Sequence, residues 1–543
     1  MTQSRHRLAA LLAICAAAFA LRLAMLGLFV HTPNIADPNH YYNLGVRLVE
    51  GHGFTINYIW QYNDLYPAIE HPDDYWMPFA GVIAAGGMTI FGVTVTGAMI
   101  PFVVLGGLLP VIGYLAARQF DLRESTALWC AAASSCLPEM VMNSLRTDTT
   151  VPNAIVVGVA LIAFVHGLRT PRPWARVLSY AISGAAVGIA YLIRSEGVLI
   201  VPAVFAAGIA AAFLDRTSFR LRPFVIGMVV MGAAAALVAL PWVIRNLNVL
   251  GSLATPMTGN MFFLTDHNDH YLFNTHLSLQ TYLASQTPAQ IIGKRLFELA
   301  ATGKLVITTL DVLFLPAFGG VLLLMGMRGD ASAKRRWIAI APTLILLGAF
   351  IIFYPILVPY KSQGGSMKKA LLSLLPMLVP FAGFALERAI APGRIRTGAM
   401  VLSVALLTIN GVELTRQDQL RSDTYYRTMT RVADAARALP DVNGDGQITL
   451  MSQDPYILDV FDIPSVMFPQ GDPDTVVEIV RRYGIDYLLM PPDRTGLNGL
   501  ISGEIQDPRF IRVETLPGTT YEFWRVDLTA TQEPTPPAAE GAS

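Results

Sequence analysis

The sequence predicts a polytopic α-helical membrane protein of about eleven spans, followed by a small C-terminal external α/β domain. Of its 543 residues, 53% are hydrophobic and only 14% are charged, whereas soluble domains carry about 25% charged residues. Apolar runs long enough to cross a bilayer recur along residues 8–412. Every second segment between these runs is short and basic, which is the pattern of a chain threaded repeatedly through a membrane.

The first run, Leu8 to Val30, is interpreted as a span and not as a cleavable signal. It continues through Arg22 for about 23 residues, which is longer than the apolar core of a signal peptide. Ten further runs complete the predicted set of spans: 97–117, 125–142, 150–167, 177–193, 197–214, 223–243, 304–327, 337–357, 369–387 and 397–412.

With the N-terminus placed in the cytoplasm, every predicted inside loop is short and basic, as the positive-inside rule requires. The outside then receives residues 31–96, the loops around Asp148 and Arg194, the long loop 246–303, the loop 358–368 and the C-terminal region. Residues 79–93 are apolar but only about 15 long, which is short for a span. We therefore expect a juxtamembrane helix there, in a multi-pass protein of the cell (inner or plasma) membrane with an external C-terminal domain.

A change of composition at Glu413 divides the chain. Residues 1–414 form the predicted transmembrane domain, with external loops 31–96 and 246–303. Residues 415–528 are expected to form the α/β domain, because short buried strands near 448–451, 465–468 and 487–490 surround a helix at 475–483. Two more strands are expected at 510–513 and 520–526. Residues 529–543 are rich in Pro, Ala and Glu and are predicted to be a disordered tail.

Composition also excludes several classes of function. The net charge is zero, so there is no basic footprint for nucleic acid. Cys15, Cys130 and Cys136 all lie in apolar runs and offer neither a disulfide framework nor metal-ligand spacing. Residues 441–446 resemble the start of a calcium loop, but Ser452 stands where a bidentate glutamate is expected. A tight turn is the favoured interpretation of that segment.

The loop 31–96 concentrates polar and aromatic residues beside the first span, as binding and catalytic loops do. Asp37 leads it, and a carboxylate just beyond a span can accept a proton from a hydroxyl group. The alternative is that Asp37 caps a helix beginning at Pro38. The other candidates of this loop for contact with substrate are Tyr41, Tyr42, His52, His71 and Trp76, with Asp73 and Asp74 as further acids.

The other external loops supply acids and cations. Asp148 and Glu196 are candidates for a second acid or for acceptor binding, although each could instead pair with its neighbouring arginine. Phosphate-binding candidates are Arg194, Arg245, Lys361, Lys368 and Lys369, with snorkelling to the membrane surface as the alternative for each. His71, Asp73 and Asp74, joined by Asp37 and His40, match no strong metal-ligand signature. The sequence therefore assigns no residue as a metal ligand, and whether a divalent cation binds is left open.

Five motifs in order resemble the GT-C superfamily of membrane glycosyltransferases, in its bacterial protein O-mannosyltransferase-like (family 39-like) branch. The resemblance runs through residues 8–390. The motifs are Asp37…Tyr41-Tyr42…Gly51-His52-Gly53-Phe54, Asp74-Tyr75-Trp76-Met77-Pro78 leading to Phe91-Gly92, Arg146-Thr147-Asp148, Arg194-Ser195-Glu196-Gly197, and Pro241-Trp242-Val243-Ile244-Arg245-Asn246 followed by Gly251-Ser252.

The resemblance implies a GT-C fold and a reaction. A sugar carried on a polyprenyl phosphate is transferred, usually with inversion, to an acceptor on the outer side, and the acid of the first external loop, here Asp37, acts as base or orients the acceptor. Relatives often carry two acids there, whereas Pro38 follows in this chain. Where relatives have an arginine before a late span, this chain has Lys361, Lys368 and Lys369, which hold phosphate as point charges and not in a fork.

Two other classes remain as alternatives. A transporter or flippase of lipid-linked sugars predicts discontinuous spans and ionisable residues near the bilayer midplane, where Arg22 is a rare example in this sequence. A non-catalytic member of the fold would use its external domain to bind a partner. The sugar and the acceptor, whether protein, lipid or polysaccharide, are not specified by the sequence.

Overall fold

The computed structural model describes residues 2–62, 65–255, 257–275, 277–327, 330–358 and 365–530. These residues form two compact units. The first, called the membrane unit, comprises Met1–Phe54, Pro72–Thr265 and Ser278–Asp423. The second, called the sheet unit, comprises Thr55–His71, Asp266–Leu277 and the chain from Thr424 onward. The tail predicted from residue 529 lies outside the described residues from 531.

The membrane unit is helical, because long apolar segments must satisfy their backbone hydrogen bonds internally. Its helices are α1 (Thr2–Phe29), α2 (Asp37–Glu50), α3 (Phe79–Phe91), α4 (Val95–Gln119), α5 (Glu124–Cys136), α6 (Pro138–Asn143), α7 (Thr150–Arg169), α8 (Pro173–Ile193), α9 (Ile200–Leu214), α10 (Leu221–Leu250), α11 (Met257–Asn260), α12 (Leu279–Ser285), α13 (Pro288–Leu310), α14 (Phe314–Gly326), α15 (Ala331–Ile352), α16 (Ser366–Ala389) and α17 (Arg394–Ala438). The last of these continues past Asp423 into the sheet unit.

Ten helices in the described residues are long and apolar enough to cross a membrane. The predicted polytopic helical fold is therefore confirmed, and two of the predicted runs are divided. The run 304–327 contains the end of α13 and the start of α14, and the second divided run is 125–142. It is divided into α5 and α6 at Leu137, whose ψ of 128° is the extended conformation that a following proline imposes. The apolar segment after residue 78 forms α3, whose 13 residues extend about 20 Å and fall short of a hydrocarbon core of about 30 Å.

Helix α16 forms the centre of the membrane unit. It is buried along nearly its whole length from Met367 to Ala385, and it packs against α4, α5, α7, α14 and α15. Because α16 begins at Ser366, Lys369 lies in its first turn. A cation that would otherwise face solvent at a helix end is thus placed inside the unit.

Arg22 is buried within α1 and is held entirely by neutral groups. Its guanidinium donates to Ser144 Oγ at 2.9 Å, to Ser135 Oγ at 3.1 Å, to the Ser135 carbonyl at 2.7 Å and to the Ala18 carbonyl at 3.1 Å. A Cβ on Gly106 would lie 2.4 Å from Arg22 Nε, so a glycine is needed where the guanidinium crosses α4. These contacts join α1 to the break between α5 and α6.

The sheet unit is built on one seven-stranded sheet. Its strands are β1 (Thr55–Ile59), β2 (Glu70–Pro72), β3 (Leu450–Ser452), β4 (Ser465–Met467), β5 (Tyr487–Met490), β6 (Phe510–Thr515) and β7 (Glu522–Val526), in the order β2-β1-β4-β3-β5-β7-β6. The unit also contains α18 (Pro455–Leu458), α19 (Pro473–Tyr483) and α20 (Asn498–Ser502). Strands β1, β4, β3 and β5 run parallel to one another. Strand β7 pairs antiparallel with β5 on one side and with β6 on the other.

The five predicted C-terminal strands are present, but β1 and β2 come from the segment 31–96, near the start of the chain. Tyr58 pairs with Ser465, and Ile59 with Val466, so the sheet is completed by a segment some four hundred residues earlier in the chain. The segment 441–446 is a turn, as predicted. The Asp441 carboxylate accepts hydrogen bonds from the backbone N–H groups of Gly444 at 2.6 Å and Gly446 at 2.7 Å.

Candidate active site

Helix α2 begins at Asp37, and this placement directs the Asp37 carboxylate away from the helix end. Ala36 is the cap residue, with φ 63°, and no side chain caps the helix. The interpretation of Asp37 as an N-cap is therefore wrong by one position: the helix starts before Pro38, which occupies its second residue. At the other end Gly51 closes the helix with φ 91°, the left-handed conformation that favours glycine.

The Asp37 carboxylate instead joins a three-residue charge cluster. Lys369 Nζ lies 2.8 Å from Asp37 Oδ2 and 2.7 Å from Asp148 Oδ2. The Asp148 side chain is 1% exposed, whereas that of Asp37 is 42% exposed. One ammonium group thus bridges a buried carboxylate and an accessible one, and the accessible one is free to meet a substrate.

Both carboxylates are held ionised. Burial alone would raise the pKa of Asp37, but the Lys369 ammonium and the Trp76 indole N–H hold that pKa below its usual value. Burial opposes ionisation of Asp148 too, yet Lys369, Arg146 and the Thr150 hydroxyl hold the pKa of Asp148 well below its usual range. The nearby Tyr41 phenol stays protonated, because burial and these two negative charges raise its pKa well above its usual value.

The Asp148 carboxylate is fixed by the start of α7. Its Oδ1 accepts hydrogen bonds at 2.9 Å from both the backbone N–H and the hydroxyl of Thr150, and one at 3.2 Å from the Thr149 hydroxyl. Thr147 donates to the carbonyl of Pro38 in α2. The loop before α7 and the start of α2 are therefore tied together, which brings the two acids to the same ammonium group.

A second ion pair lies beside the first. Arg194, the residue that ends α8, pairs with Glu196 through Nε and donates to Thr149 Oγ1 at 3.2 Å. Burial works against the charge on Arg194, but the Glu196 carboxylate raises its pKa above the ordinary value. The guanidinium is thus cationic at any working pH and has a carboxylate partner already.

A cavity of about 330 Å³ opens between these groups. One part of its wall is polar and aromatic, and contains Asp37, Tyr41, Tyr75, Trp76, Arg194, Ser195, Glu196, Tyr354 and Ser366. The remainder is apolar, and contains Met77, Ile193, Val198, Leu199, Met261, Phe262, Phe353 and Val358. A wall divided in this way suits a ligand with a charged or hydroxylated part and a hydrocarbon part.

Trp76 connects the cavity to a buried histidine-carboxylate pair. Its indole Nε1 donates to Asp37 Oδ1 at 3.2 Å, and its ring stacks on His40 with centroids 3.9 Å apart. His40 Nε2 lies 3.3 Å from Asp73 Oδ2. Burial would raise the pKa of Asp73, but His40 and the backbone N–H groups of Tyr75 and Trp76 hold it below the usual value.

The structure gathers only part of the set of residues that the sequence nominated. Asp37, Tyr41, Trp76, Arg194 and Glu196 line the cavity, and Lys369 and Asp148 contact Asp37 directly or through the shared ammonium. The remaining candidates, Tyr42, His52, Asp73, Asp74, Arg245 and Lys368, are outside the lining, and His71 belongs to the sheet unit. Lys361 lies outside the described residues.

Two nominated cations have other partners. Lys368 Nζ pairs with Glu139 at 2.7 Å. Arg245 donates to the backbone carbonyls of Asp73 and Phe54 at 2.9 and 3.0 Å. Conversely, Tyr354 and Phe262 line the cavity without having been nominated. Tyr354 sits inside a predicted apolar span and Phe262 in the uncharged stretch 246–265, so neither carried a sequence signal beyond hydrophobicity.

No group of three or more His, Cys, Asp or Glu side chains that could hold a metal ion is found within the described ranges. The acids around the cavity are instead neutralised by Lys369 and Arg194. The chemistry that this arrangement can supply is proton acceptance at Asp37 and charge stabilisation by the two cations.

The sequence and the fold are each similar to those of known proteins. Residues 70–244 match the sequence family described as dolichyl-phosphate-mannose-protein mannosyltransferase. A search of curated protein sequences gives no match. Among solved structures, ArnT from Cupriavidus metallidurans bound to undecaprenyl phosphate is similar at 15% identity with a TM-score of 0.60, over 96% of this chain and 99% of ArnT.

Two further structures are similar. The apo state of the same ArnT gives 16% identity and a TM-score of 0.61, over 95% of this chain and 97% of ArnT. The oligosaccharyltransferase of Archaeoglobus fulgidus in its apo form gives 13% identity and a TM-score of 0.58, over 96% of this chain and 75% of that one. The chain is therefore a multi-span membrane protein that shares the fold of ArnT and of the archaeal oligosaccharyltransferase, and its residues 70–244 match the family model described as dolichyl-phosphate-mannose-protein mannosyltransferase.

Proposed function

We propose that the protein is a glycosyltransferase that moves a sugar from a polyprenyl-phosphate-linked donor to an acceptor hydroxyl, with Asp37 at the reacting centre. The observation that carries this proposal is the contact of Asp37 with Lys369 at the edge of the divided cavity. A carboxylate to take a proton, a cation to receive a phosphate and an apolar wall for an isoprenoid chain are the parts that such a transfer needs.

The proposed step is a displacement at the anomeric carbon. The acceptor oxygen forms a bond to that carbon, its proton passes to the Asp37 carboxylate, and the bond from the carbon to the phosphate oxygen breaks with both electrons going to the phosphate. Polyprenyl phosphate leaves. General-base assistance contributes roughly 10²–10⁴-fold to such a step, and attack from the side opposite the leaving group would invert the sugar.

The charges around the cavity suggest how donor binding prepares Asp37. Three carboxylates, those of Asp37, Asp148 and Glu196, face two cations, those of Lys369 and Arg194. In the described part of the chain, a phosphate entering here finds both cations paired. Asp37 is the more exposed partner of Lys369, so a donor phosphate would compete for Lys369 with Asp37 first. Losing the ammonium would raise the pKa of Asp37 and make it a better base.

The orientation in the membrane follows from the distribution of basic loops. We propose that the N-terminus is cytoplasmic and that the cavity and the sheet unit are external, in the inner or plasma membrane. The acceptor would then be a protein, lipid or polysaccharide delivered from outside. The sheet unit would serve as an accessory module, since the proposed reacting groups all belong to the membrane unit.

The transport hypothesis receives no support from the one deeply placed cation that suggested it. Arg22 donates its hydrogen bonds to serine side chains and backbone carbonyls of its own bundle. A cation committed in this way stabilises packing and offers no site to a moving substrate.

The decisive experiment uses the full chain in lipid nanodiscs with undecaprenyl phosphate carrying a radiolabelled hexose or pentose. Free undecaprenyl phosphate appearing together with labelled product, in the presence of lipid, polysaccharide or protein acceptor fractions, would support the proposal. Native mass spectrometry should in parallel detect bound undecaprenyl phosphate and not the uncharged undecaprenol. Equal binding of both lipids, with no transfer to any fraction, would refute it.

A further inference from the structure

The Trp76 indole secures one oxygen of the Asp37 carboxylate. Its Nε1 donates to Oδ1 at 3.2 Å, while Lys369 Nζ contacts Oδ2 at 2.8 Å. Each carboxylate oxygen therefore has its own donor. If a donor phosphate draws Lys369 away, the bond from Trp76 is the one of these two that remains to orient Asp37.

Trp76 is itself held by a buried pair. Its ring stacks on His40 with an angle of 21° between the planes, and His40 is 1% exposed. His40 Nε2 lies 3.3 Å from Asp73 Oδ2, and Asp73 Oδ1 accepts from the backbone N–H groups of Tyr75 and Trp76, each at 3.3 Å. Asp73 Oδ1 thus holds the backbone of Trp76, and Asp73 Oδ2 lies beside the ring on which Trp76 rests.

Arg245 supports the same turn from behind. Its guanidinium donates to the carbonyls of Asp73 at 2.9 Å and Phe54 at 3.0 Å and to Asn246 Oδ1 at 3.1 Å, and it lies over the Trp242 ring at 4.7 Å. The sequence nominated Arg245 for donor phosphate. Its guanidinium instead donates hydrogen bonds to backbone carbonyls of the turn, so Arg245 stabilises the structure around the site.

We propose that Trp76 is a positioning residue for Asp37, and that His40 and Asp73 hold Trp76 in the orientation that this requires. The expected effect on catalysis rests on the proposed transferase function. The orientation of the Asp37 carboxylate by Trp76 does not depend on that function. The terminal torsion of an aspartate is broad. A carboxylate released by Lys369 would turn freely without a second donor, and a misplacement of about 1 Å can cost up to about 10²-fold in rate.

The test compares Trp76→Phe with Trp129→Phe. The first removes the indole N–H but keeps a ring for stacking on His40. The second removes a buried indole N–H that donates to the Met400 carbonyl and Ser403 Oγ, none of which belongs to the cavity lining. We expect Trp76→Phe to lower kcat about tenfold with the donor KM changed less than about twofold, and Trp129→Phe to change neither.

The link to Asp37 is tested by combining variants. Trp76→Phe should add no further loss in an Asp37→Asn background, because it acts through that carboxylate. His40→Gln, which keeps a donor for Asp73 but loses the stacking ring, should reproduce the effect of Trp76→Phe. An unchanged kcat, or equal fold losses with and without Asp37, would overturn the proposal and assign Trp76 to acceptor binding or to packing.

A readout without turnover separates this inference from the proposed function. Carbodiimides label protonated carboxyl groups, and a hydrogen bond to the ionised form disfavours protonation. Peptide mapping should therefore find Asp37 labelled several-fold faster in Trp76→Phe than in wild type or Trp129→Phe. If wild-type protein transfers no sugar, the proposed function fails and this labelling still decides the role of Trp76. Equal labelling in all three proteins would overturn that role.

Discussion

Arg22 and Lys369 are both cations enclosed by the helices of the membrane unit, yet they are enclosed in opposite ways. Arg22 is 0% exposed and meets only hydroxyl and carbonyl oxygens. The Lys369 side chain is 18% exposed and contacts two carboxylates. A cation surrounded by neutral acceptors has no anionic partner that a ligand could replace. A cation that is shared between two carboxylates beside a cavity can exchange one carboxylate partner for a phosphate. The partners, and not the depth of burial, separate a structural charge from a reactive one.

The largest expected effect is that of Asp37→Asn. This substitution keeps the size of the side chain and an oxygen for the Trp76 N–H but removes the proton-accepting charge. Transfer should fall by roughly 10²-fold or more, with helix content and binding of undecaprenyl phosphate near those of wild type. Because Asp37 does not cap α2, no loss of capping complicates the result. Full activity of this variant would mean that another acid is the general base, and Asp148 would be the next candidate.

Removing the shared ammonium should be the next most severe change. Lys369→Met leaves two carboxylates without their cation, and removing one partner of a buried pair typically costs about 3–5 kcal/mol. Thermal stability and transfer should both fall. The double variant Lys369→Met with Asp148→Asn should recover most of the melting temperature but not the transfer. Recovery of both would mean that Lys369 serves stability alone.

Arg22→Leu should affect stability and not catalysis, which is the converse of the result at Asp37. The serine hydroxyls and the Ser135 carbonyl lose their donor, at a cost of about 1–3 kcal/mol. We expect a lower melting temperature, measured in nanodiscs, and an unchanged kcat per folded molecule. A fall in kcat with normal stability would contradict the assignment of Arg22 to structure and of Lys369 to the reaction. The transport hypothesis would then have to be considered again.

The smallest expected effect concerns pH. The Lys369 ammonium holds the pKa of Asp37 below its usual value in the free protein, so kcat/KM should change less than about twofold between pH 7 and pH 5. If the donor phosphate takes Lys369, the pKa of Asp37 rises in the complex, and kcat alone should fall as the pH is lowered. Parallel profiles of kcat and kcat/KM would argue against the exchange.

The same depressed pKa values set the sign of the dependence of stability on pH. For Asp37 and Asp148 the ionised form is favoured by folding. Their contribution to stability is therefore complete above the unfolded pKa of about 3.9 and is lost as the pH falls through the lower folded values. Acid unfolding monitored by circular dichroism should thus begin below about pH 4. In the double variant that lacks Lys369 and the Asp148 charge, unfolding should begin at a still lower pH.

The fold could be predicted from the sequence because its signals are local. Runs of apolar residues specify the spans, and basic loops specify their alternation. The site was predicted in part: Asp37, Asp148 and Lys369 were each nominated, but their meeting depends on contacts across 221 and 332 positions of sequence. His40 was considered only as a metal ligand, since nothing in the sequence indicates that its ring stacks on Trp76. Strand β1 was missed although polar and apolar residues alternate from Thr55 to Tyr58, because five residues do not show which sheet they would join without the partner strand β4.

The mixed origin of the seven-stranded sheet affects how the protein is made. Tyr58 pairs with Ser465, 407 positions later (465 − 58). At about 5–20 residues per second of synthesis, β1 waits roughly 20–80 s for the strand beside it. During that interval an unpaired edge is exposed outside the nascent bundle, and such edges are where aggregation begins. A C-terminal fragment starting near residue 415 would lack β1 and leave β4 as an open edge.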